Sequence, residues 1–293
     1  NEFIDNTGNI PQYNEAYADS ILFTSSRGIG SSFIPSIHIM YKDGSGIRSL
    51  TSEWFTFGAS WSPDRWKVLF ITDASFNEPE RGLYVMDLNG NIKERLTPIG
   101  EDVWYGSYSP DGNHIAYIVL DDNGRGKIRI MSSDYSNPRD ITGYFGQLRK
   151  LTWSRDSKSI AFSGFISGGG EKIYIVNIDG SGTSSLFNYF YGCYSPAWSP
   201  KEDLIAFQSF ASIGGTHYSQ IFTYNISTKK IKQITSEQKF YNNPSWSPDG
   251  LKLVASAQLP GTNPDAIYMM DANGDNIERL TDDSAQDYSP CWY

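Results

Sequence analysis

Residues 246–281 read "WSPDGLKLVASAQLPGTNPDAIYMMDANGDNIERLT". Ser247-Pro248-Asp249-Gly250 is a turn by chemistry. Pro presets φ, Asp bonds the local backbone, and Gly accepts φ above zero. "LKLVASA" then alternates in the period-two manner of a strand. "AIYMMD" is a second such run, "ANGD" a second turn, and "NIERLT" a third run. With the residues leading into Trp246, the stretch predicts four short strands joined by tight turns.

The same layout recurs along the chain. Trp61 opens "WSPDRWKVLFIT", Tyr108 "YSPDGNHIAYIV", Trp153 "WSRDSKSIAFSG" and Trp198 "WSPKEDLIAFQS". Trp292 follows "YSPC" near the end. Successive openings are 47, 45, 45, 48 and 46 residues apart. Each is followed by a partner block such as "GLYVMDLNGNIKERLT", "KIYIVNIDGSGTSSLF" or "QIFTYNISTKKIKQIT". Four short strands per period of about 40–50 residues is the signature of a propeller blade. No helical period interrupts it. The expected fold is all-β, a six-bladed β-propeller of four-stranded blades.

The chain begins inside a repeat. "DSILFTSSRG", "SIHIMYKDG" and "GIRSLT" match second, third and fourth strands, and no first strand precedes them. The surplus "YSPCWY" at the other end supplies one. Blade 1 is therefore expected to close with strands from both ends of the chain, which removes free sheet edges. An array running on past Tyr293 is the competing arrangement.

The Trp-Ser-Pro-Asp-Gly turn, "IYMMDANG" and the closing "ERLT" resemble the TolB-like β-propeller repeat, WD-repeat-like in layout. The resemblance runs from about residue 18 to the end, so 1–17 is assigned as an N-terminal linker or extension and 18–293 as one propeller domain. "SRDS" in blade 4 and "SPKED" in blade 5 depart from the pattern, so their turns are expected to differ. The resemblance implies an extracytoplasmic binding scaffold of a bacterial-type envelope, periplasmic or extracellular. It names no ligand.

Composition narrows the class. The chain has 293 residues, a formal charge of −9 and 15% aromatics. An acidic chain without Lys/Arg clusters is a poor nucleic-acid binder. No apolar run reaches the roughly 18 residues of a membrane helix. Two cysteines, Cys193 and Cys291, make no disulfide framework.

In a propeller, the loops between blades share one face with the loops joining second to third strands. The latter include "TDASFNEPERG", "LDDNGRG", "FASIGGTHYSQ" and "QLPGTNPDA". Irregular loops on a rigid frame are where binding concentrates. Every inter-blade loop carries aromatics. Trp54, Phe55, Trp104, Tyr105, Tyr144 and Phe145 serve blades 2 to 4. Tyr189, Phe190, Tyr191, Phe240, Tyr241 and Tyr288 serve blades 5, 6 and 1. All fall just before a first strand and are expected to ring the funnel mouth, unless they wedge between blades as core. The acids beside them are Glu53, Glu101, Asp102, Glu237, Asp282, Asp283 and Asp287. Rings with acids suit hydroxylated sugars or a peptide of a partner protein. A solvated acidic rim is the plainer alternative.

Catalytic signatures are absent from the sequence. His38, His114 and His217 fall in different blades, the last in a loop, which argues against a multi-histidine metal centre. No Gly-x-Ser-x-Gly elbow occurs. "DANGDN" (271–276) sits where every repeat has its hairpin turn and lacks the closing Glu of a calcium loop. The expectation is a non-catalytic scaffold without cofactor that engages a protein partner of the envelope or secreted fraction. Carbohydrate binding or processing is the alternative.

Overall fold

The computed structural model describes residues 13–27, 34–51, 55–72, 81–165, 170–187, 192–262 and 264–292. Six antiparallel sheets follow one another around a channel. Blade 2 runs Thr56–Trp61, Lys67–Thr72, Gly82–Asp87 and Ile92–Arg95. Blade 3 runs Asp102–Tyr108, His114–Leu120, Arg125–Ser132 and Arg139–Asp140. Phe145–Gly146 also pairs with the start of its third strand. Blades 4, 5 and 6 open with Leu151–Trp153, Tyr194–Trp198 and Phe240–Trp246. Blade 1 is composite: Asp287–Cys291 pairs with Ser20–Ser25, followed by Ser36–Tyr41 and Arg48–Ser49. The ring closes as expected.

Each interface between blades has its own apolar cluster. Leu22, Ile39 and Trp61 join blades 1 and 2, and Leu83, Val103 and Tyr117 join blades 2 and 3. Trp246 and Tyr241 sit between blades 5 and 6, and Trp292 between 6 and 1. Burying one such aromatic contributes about 2–3 kcal/mol. In blades 4 and 6 the repeat Trp also welds neighbours by hydrogen bonding. Trp153 Nε1 donates to the Ser107 carbonyl (3.2 Å) and Trp246 Nε1 to that of Ala197 (2.9 Å).

Two further repeat residues have structural reasons. The Thr ending the fourth strand bonds the third-strand amide, where the fourth strand is too short to do so. Thr235 Oγ1 accepts from Ile221 N at 2.9 Å and Thr281 Oγ1 from Ile267 N at 3.0 Å. Thr51, Thr97 and Thr142 do the same in blades 1 to 3. Gly274 in the last turn has φ +96, and a Cβ there would lie 2.1 Å from the Ile234 carbonyl of blade 5. The turn thus abuts the preceding blade, and only glycine fits.

The structure corrects several loop expectations. "FASIGGTHYSQ" is largely strand. Leu204–Ile213 and Thr216–Asn225 form a ten-pair hairpin turned at Gly214-Gly215, both with positive φ. That two-glycine turn matches strand twist and lets pairing continue. His217 is therefore in a strand and not a loop. "LDDNGRG" is a tight turn, Gly124 N donating to the Asp121 carbonyl at 2.8 Å. The blade 4 turn keeps the common geometry, with Ser157 at φ 59 in the glycine place and Ser154 Oγ donating to Asp156 at 2.6 Å. Blade 5 does differ: Ser199 Oγ accepts from the amides of Lys201 and Glu202.

Residues 13–19 lie before the first strand. Asn14 N donates to the Asp64 carbonyl at 2.9 Å, and the Tyr17 ring lies 6.5 Å from that of Trp61. This segment rests on blade 2.

Candidate functional site

The channel face opens into a cavity of about 840 Å³ lined by all six first strands. Its shape follows from a bulge. In blades 1, 2, 5 and 6 the register of the first strand slips three residues before the repeat Trp. The residues there, Ser289, Gly58, Ser195 and Asn243, have φ between 49° and 65°. An extra residue in αL bends the strand inward. In blades 3 and 4 the equivalent positions hold Tyr105 and Lys150. These six residues make one layer of the channel wall. Ser195 Oγ donates to Asn243 Oδ1 at 2.7 Å within it. The next layer inward, one residue before each Trp, is Ser60, Ser107, Thr152, Ala197, Ser245 and Cys291. Small side chains keep the channel open there. On the opposite face a hollow of about 240 Å³ meets Ser60, Ser107 and Thr152 of that layer.

Of the residues expected at the rim, Phe55, Trp104, Tyr105 and Tyr288 line the cavity together. Phe55 is half exposed and meets Phe57 edge-on at 5.9 Å, and Phe57 meets Trp104 at 5.4 Å. The Arg81 guanidinium lies 4.6 Å over the Trp104 ring. Burial pushes the phenols of Tyr105 and Tyr288 upward. Trp104, Tyr105, Tyr241 and Tyr288 are in first strands and not before them, because the bulges carry pairing outward past each kink.

Other expected residues are placed elsewhere. Tyr241 is fully buried, and its hydroxyl donates to Glu237. Phe145 is buried between blades 3 and 4, edge-on to Phe162 at 5.0 Å. Phe240 packs on Tyr218 at 5.1 Å. Tyr144 is exposed but lies off the cavity, 5.2 Å from Arg125 and 5.1 Å from Lys127. Glu53, Trp54, Tyr189, Phe190 and Tyr191 lie outside the described residues.

The acids are engaged by cations. Asp102 accepts two bonds from Arg81, at 2.7 and 2.6 Å. Glu101 pairs with Arg129, and Glu237 with Lys239 at 2.9 Å. Asp283 pairs with Arg279. Asp282 and the buried Asp287 share Arg27, at 3.0 and 2.6 Å. The Ser284 hydroxyl and amide, ahead of Arg27, hold the Asp282 carboxyl down at about 2. Unpaired acids suited to accept sugar hydroxyls are thus scarce among the described rim residues.

The cavity also gathers residues that sequence reasoning did not assign to a site. Trp198 and Phe210 add aromatic wall beside Tyr194, which closes the expected rim stretch "NYFYGCY", with Phe210 half exposed on the long blade 5 hairpin. Gln208, Asn242, Asn243 and Gln286 add carboxamides. Arg149, Lys150 and Asp265 add charge. Burial pulls the Lys150 ammonium down to about 8 and pushes the Asp265 carboxyl up. The signal was the repeat itself. Counting three residues back from each Trp names the first layer, but those residues read as frame.

Glu171, at the start of a blade 4 strand, is pushed up to about 7 by burial, against the opposing charge of Arg149. Its Oε1 is buried without a hydrogen-bond partner. His38, His114 and His217 lie in blades 1, 3 and 5. Among the described residues, no three His, Cys, Asp or Glu side chains cluster in a way that could hold a metal ion. Cys193 and Cys291 are buried and not joined in a disulfide.

A closed ring of six blades around a polar-aromatic channel defines the protein as a six-bladed β-propeller. Residues 171–293 match a family model described as the TolB beta propeller domain. TolB from Acinetobacter baumannii superposes with a TM-score of 0.76 at 19% identity, over 94% of this chain and 66% of that one. The chain thus spans just under two thirds of that relative. A putative TolB from Agrobacterium tumefaciens matches at 0.70 and 21% identity, over 92% and 96%. An oligogalacturonate lyase in complex with manganese matches at 0.58 and 15%, over 88% and 72%. At these identities the likeness is one of fold, and the fold carries both TolB proteins and an enzyme. The chain is a six-bladed propeller whose fold is similar to that of the TolB structures and whose C-terminal part matches the TolB propeller model.

Proposed function

We propose that this propeller is a non-catalytic extracytoplasmic scaffold that takes a segment of a partner protein into its channel. The carrying observation is the 840 Å³ cavity. Its wall combines aromatic rings for apolar side chains with carboxamides that both donate to and accept from a peptide backbone. The likeness to TolB propellers supports the same reading at the level of fold, and supports a periplasmic or extracellular location. Among the described residues no helix is long and apolar enough to cross a membrane. Residues 18–293 act as one domain in this reading, with 1–17 as an extension.

The alternative is carbohydrate binding or processing. The exposed rings of Phe55 and Phe210 favour it, since sugar faces stack on such surfaces. The ion-paired acids weigh against it. Crosslinking capture from envelope and secreted fractions separates the two readings, using wild type and the double variant Phe55→Ala/Phe210→Ala. A protein held by wild type and lost in the variant is the expected result. Enrichment of nothing by either would overturn the scaffold reading. A saturable Trp fluorescence change with polysaccharide or peptidoglycan fragments, lost in Trp104→Ala, would move the assignment to carbohydrate.

A further inference from the structure

The molecule carries a net charge of −9, yet among the described residues its channel is lined by more cations than acids. Arg81, Arg149, Lys150 and Asp265 are the charged lining residues among those described. Arg81 is neutralised by Asp102. Arg149 is exposed, donates to Gln147 Oε1 at 3.1 Å, and feels the charge of Glu171. Lys150 differs from both. It stands in the first channel layer, and its Nζ crosses from blade 4 to the Pro244 carbonyl of blade 6 at 3.0 Å. Among the described residues no carboxylate offsets it, and the titratable group acting on it is the Cys291 thiol of blade 1. One carbonyl satisfies one of three ammonium donors. A partly buried cation with donors left over, in the wall of an aromatic-lined channel, is built to receive an anion.

We propose that Lys150 is the carboxylate-binding subsite of the channel, holding an acidic side chain or C-terminal carboxylate of the partner's peptide. This rests on the peptide-scaffold reading above. A peptide is favoured over a uronic-acid sugar because the carboxamides match backbone amides and the rim acids are occupied. The carboxylate pairs with Nζ in the channel wall. Tyr105 and Tyr288, from blades 3 and 1, line the same cavity, and burial pushes their phenols upward. Asp265 lines the same cavity, and burial pushes its carboxyl upward.

The ammonium must be charged to bind, so affinity falls as pH rises through about 8. With a ligand carboxyl near 4, raising pH from 7 to 9 weakens binding about tenfold. The test uses protein with carbon-13 lysine, the Lys150 Cε signal being assigned by its absence in Lys150→Arg. The probes are acetyl-Ala-Ala-Glu-amide, its isosteric Gln counterpart and trigalacturonate. The Glu peptide should shift the Lys150 signal, bind about tenfold tighter than the Gln peptide, and weaken about tenfold between pH 7 and 9. Unlabelled Lys150→Arg, followed by Trp fluorescence, should keep binding and lose that pH dependence. Lys150→Gln, checked for its fold by circular dichroism, should lose the Glu preference. Equal binding of the Glu and Gln peptides overturns the carboxylate subsite but leaves the peptide channel standing. A Lys150-dependent response to trigalacturonate alone overturns the peptide assignment. No response of the Lys150 signal or of Trp fluorescence to either peptide overturns both.

Discussion

At the scale of single residues, short polar side chains and glycines decide whether a blade can be built. Thr281 Oγ1 takes an amide that would otherwise be buried without a partner. Thr281→Val should cost about 1–3 kcal/mol in urea unfolding, and Thr281→Ser much less, since an orphaned buried donor is expensive. Gly274→Ala adds a steric clash with the Ile234 carbonyl to an unfavourable φ, and should destabilise by at least about 1 kcal/mol. Glu171 gives a pH signature. Its carboxyl is raised to about 7 in the fold, so it binds protons there that the unfolded chain has released. Stability is then fully present below the ordinary carboxylate pKa and declines as pH rises toward 7. Glu171→Gln should flatten that decline and raise stability at pH 8 by about 1 kcal/mol, discounted for its partial exposure. Thermal melts at pH 5 and pH 8 on both proteins would show it.

At the scale of elements, the turn after each repeat Trp is a small network. Ser247 Oγ donates to Asp249 at 2.5 Å, and the Lys252 amide returns to Ser247 Oγ at 2.9 Å. Burial opposes the Asp249 charge, but the Ser247 hydroxyl and Leu251 amide outweigh it and lower its carboxyl. The lowered carboxylate stabilises the fold above the ordinary carboxylate range, and that share is lost as pH falls through its folded pKa. Asp249→Ala should therefore cost about 1 kcal/mol at pH 7, with the difference from wild type shrinking toward pH 3. The Ser-Pro-Asp-Gly spelling was legible because each residue has one local job. The blade 5 hairpin was not. "FASIGGTHYSQ" has the glycines of a loop, and only pairing across Ile213 and Thr216 makes it strand.

At the scale of the whole molecule, closure of blade 1 is the controlling event. Buried Asp287 accepts from Ser25 Oγ at 2.5 Å and Arg27 Nη2 at 2.6 Å, tying the two ends of the chain together. Asp287→Ala leaves Arg27 with the exposed Asp282 and the Ser284 hydroxyl and should cost about 2–3 kcal/mol. Deleting 286–293 should do more: it exposes the edge of Ser20–Ser25 and opens the ring. Aggregation of the truncated protein on size exclusion is the expected outcome. A soluble monomer melting like wild type would mean that closure contributes little.

The repeat, the blade count and the composite first blade were written in the chain, because turn chemistry and strand alternation are local and recur every 45 to 48 residues. The same local logic found Phe55, Trp104, Tyr105 and Tyr288 as residues of the channel face. It could not separate them from Tyr241 and Phe145, since a ring facing solvent and a ring wedged between blades have the same sequence signature. Nor could it pair Asp102 with Arg81 or Asp287 with Arg27, the latter 260 residues away. Lys150 is the clearest case. In sequence it is one lysine before an ordinary Leu-Thr-Trp. Only the closed ring, which brings the third residue before each repeat aromatic into one channel layer, sets it beside Pro244 and Cys291. Closing a ring brings together what no local pattern can, and the chemistry of the channel is decided there.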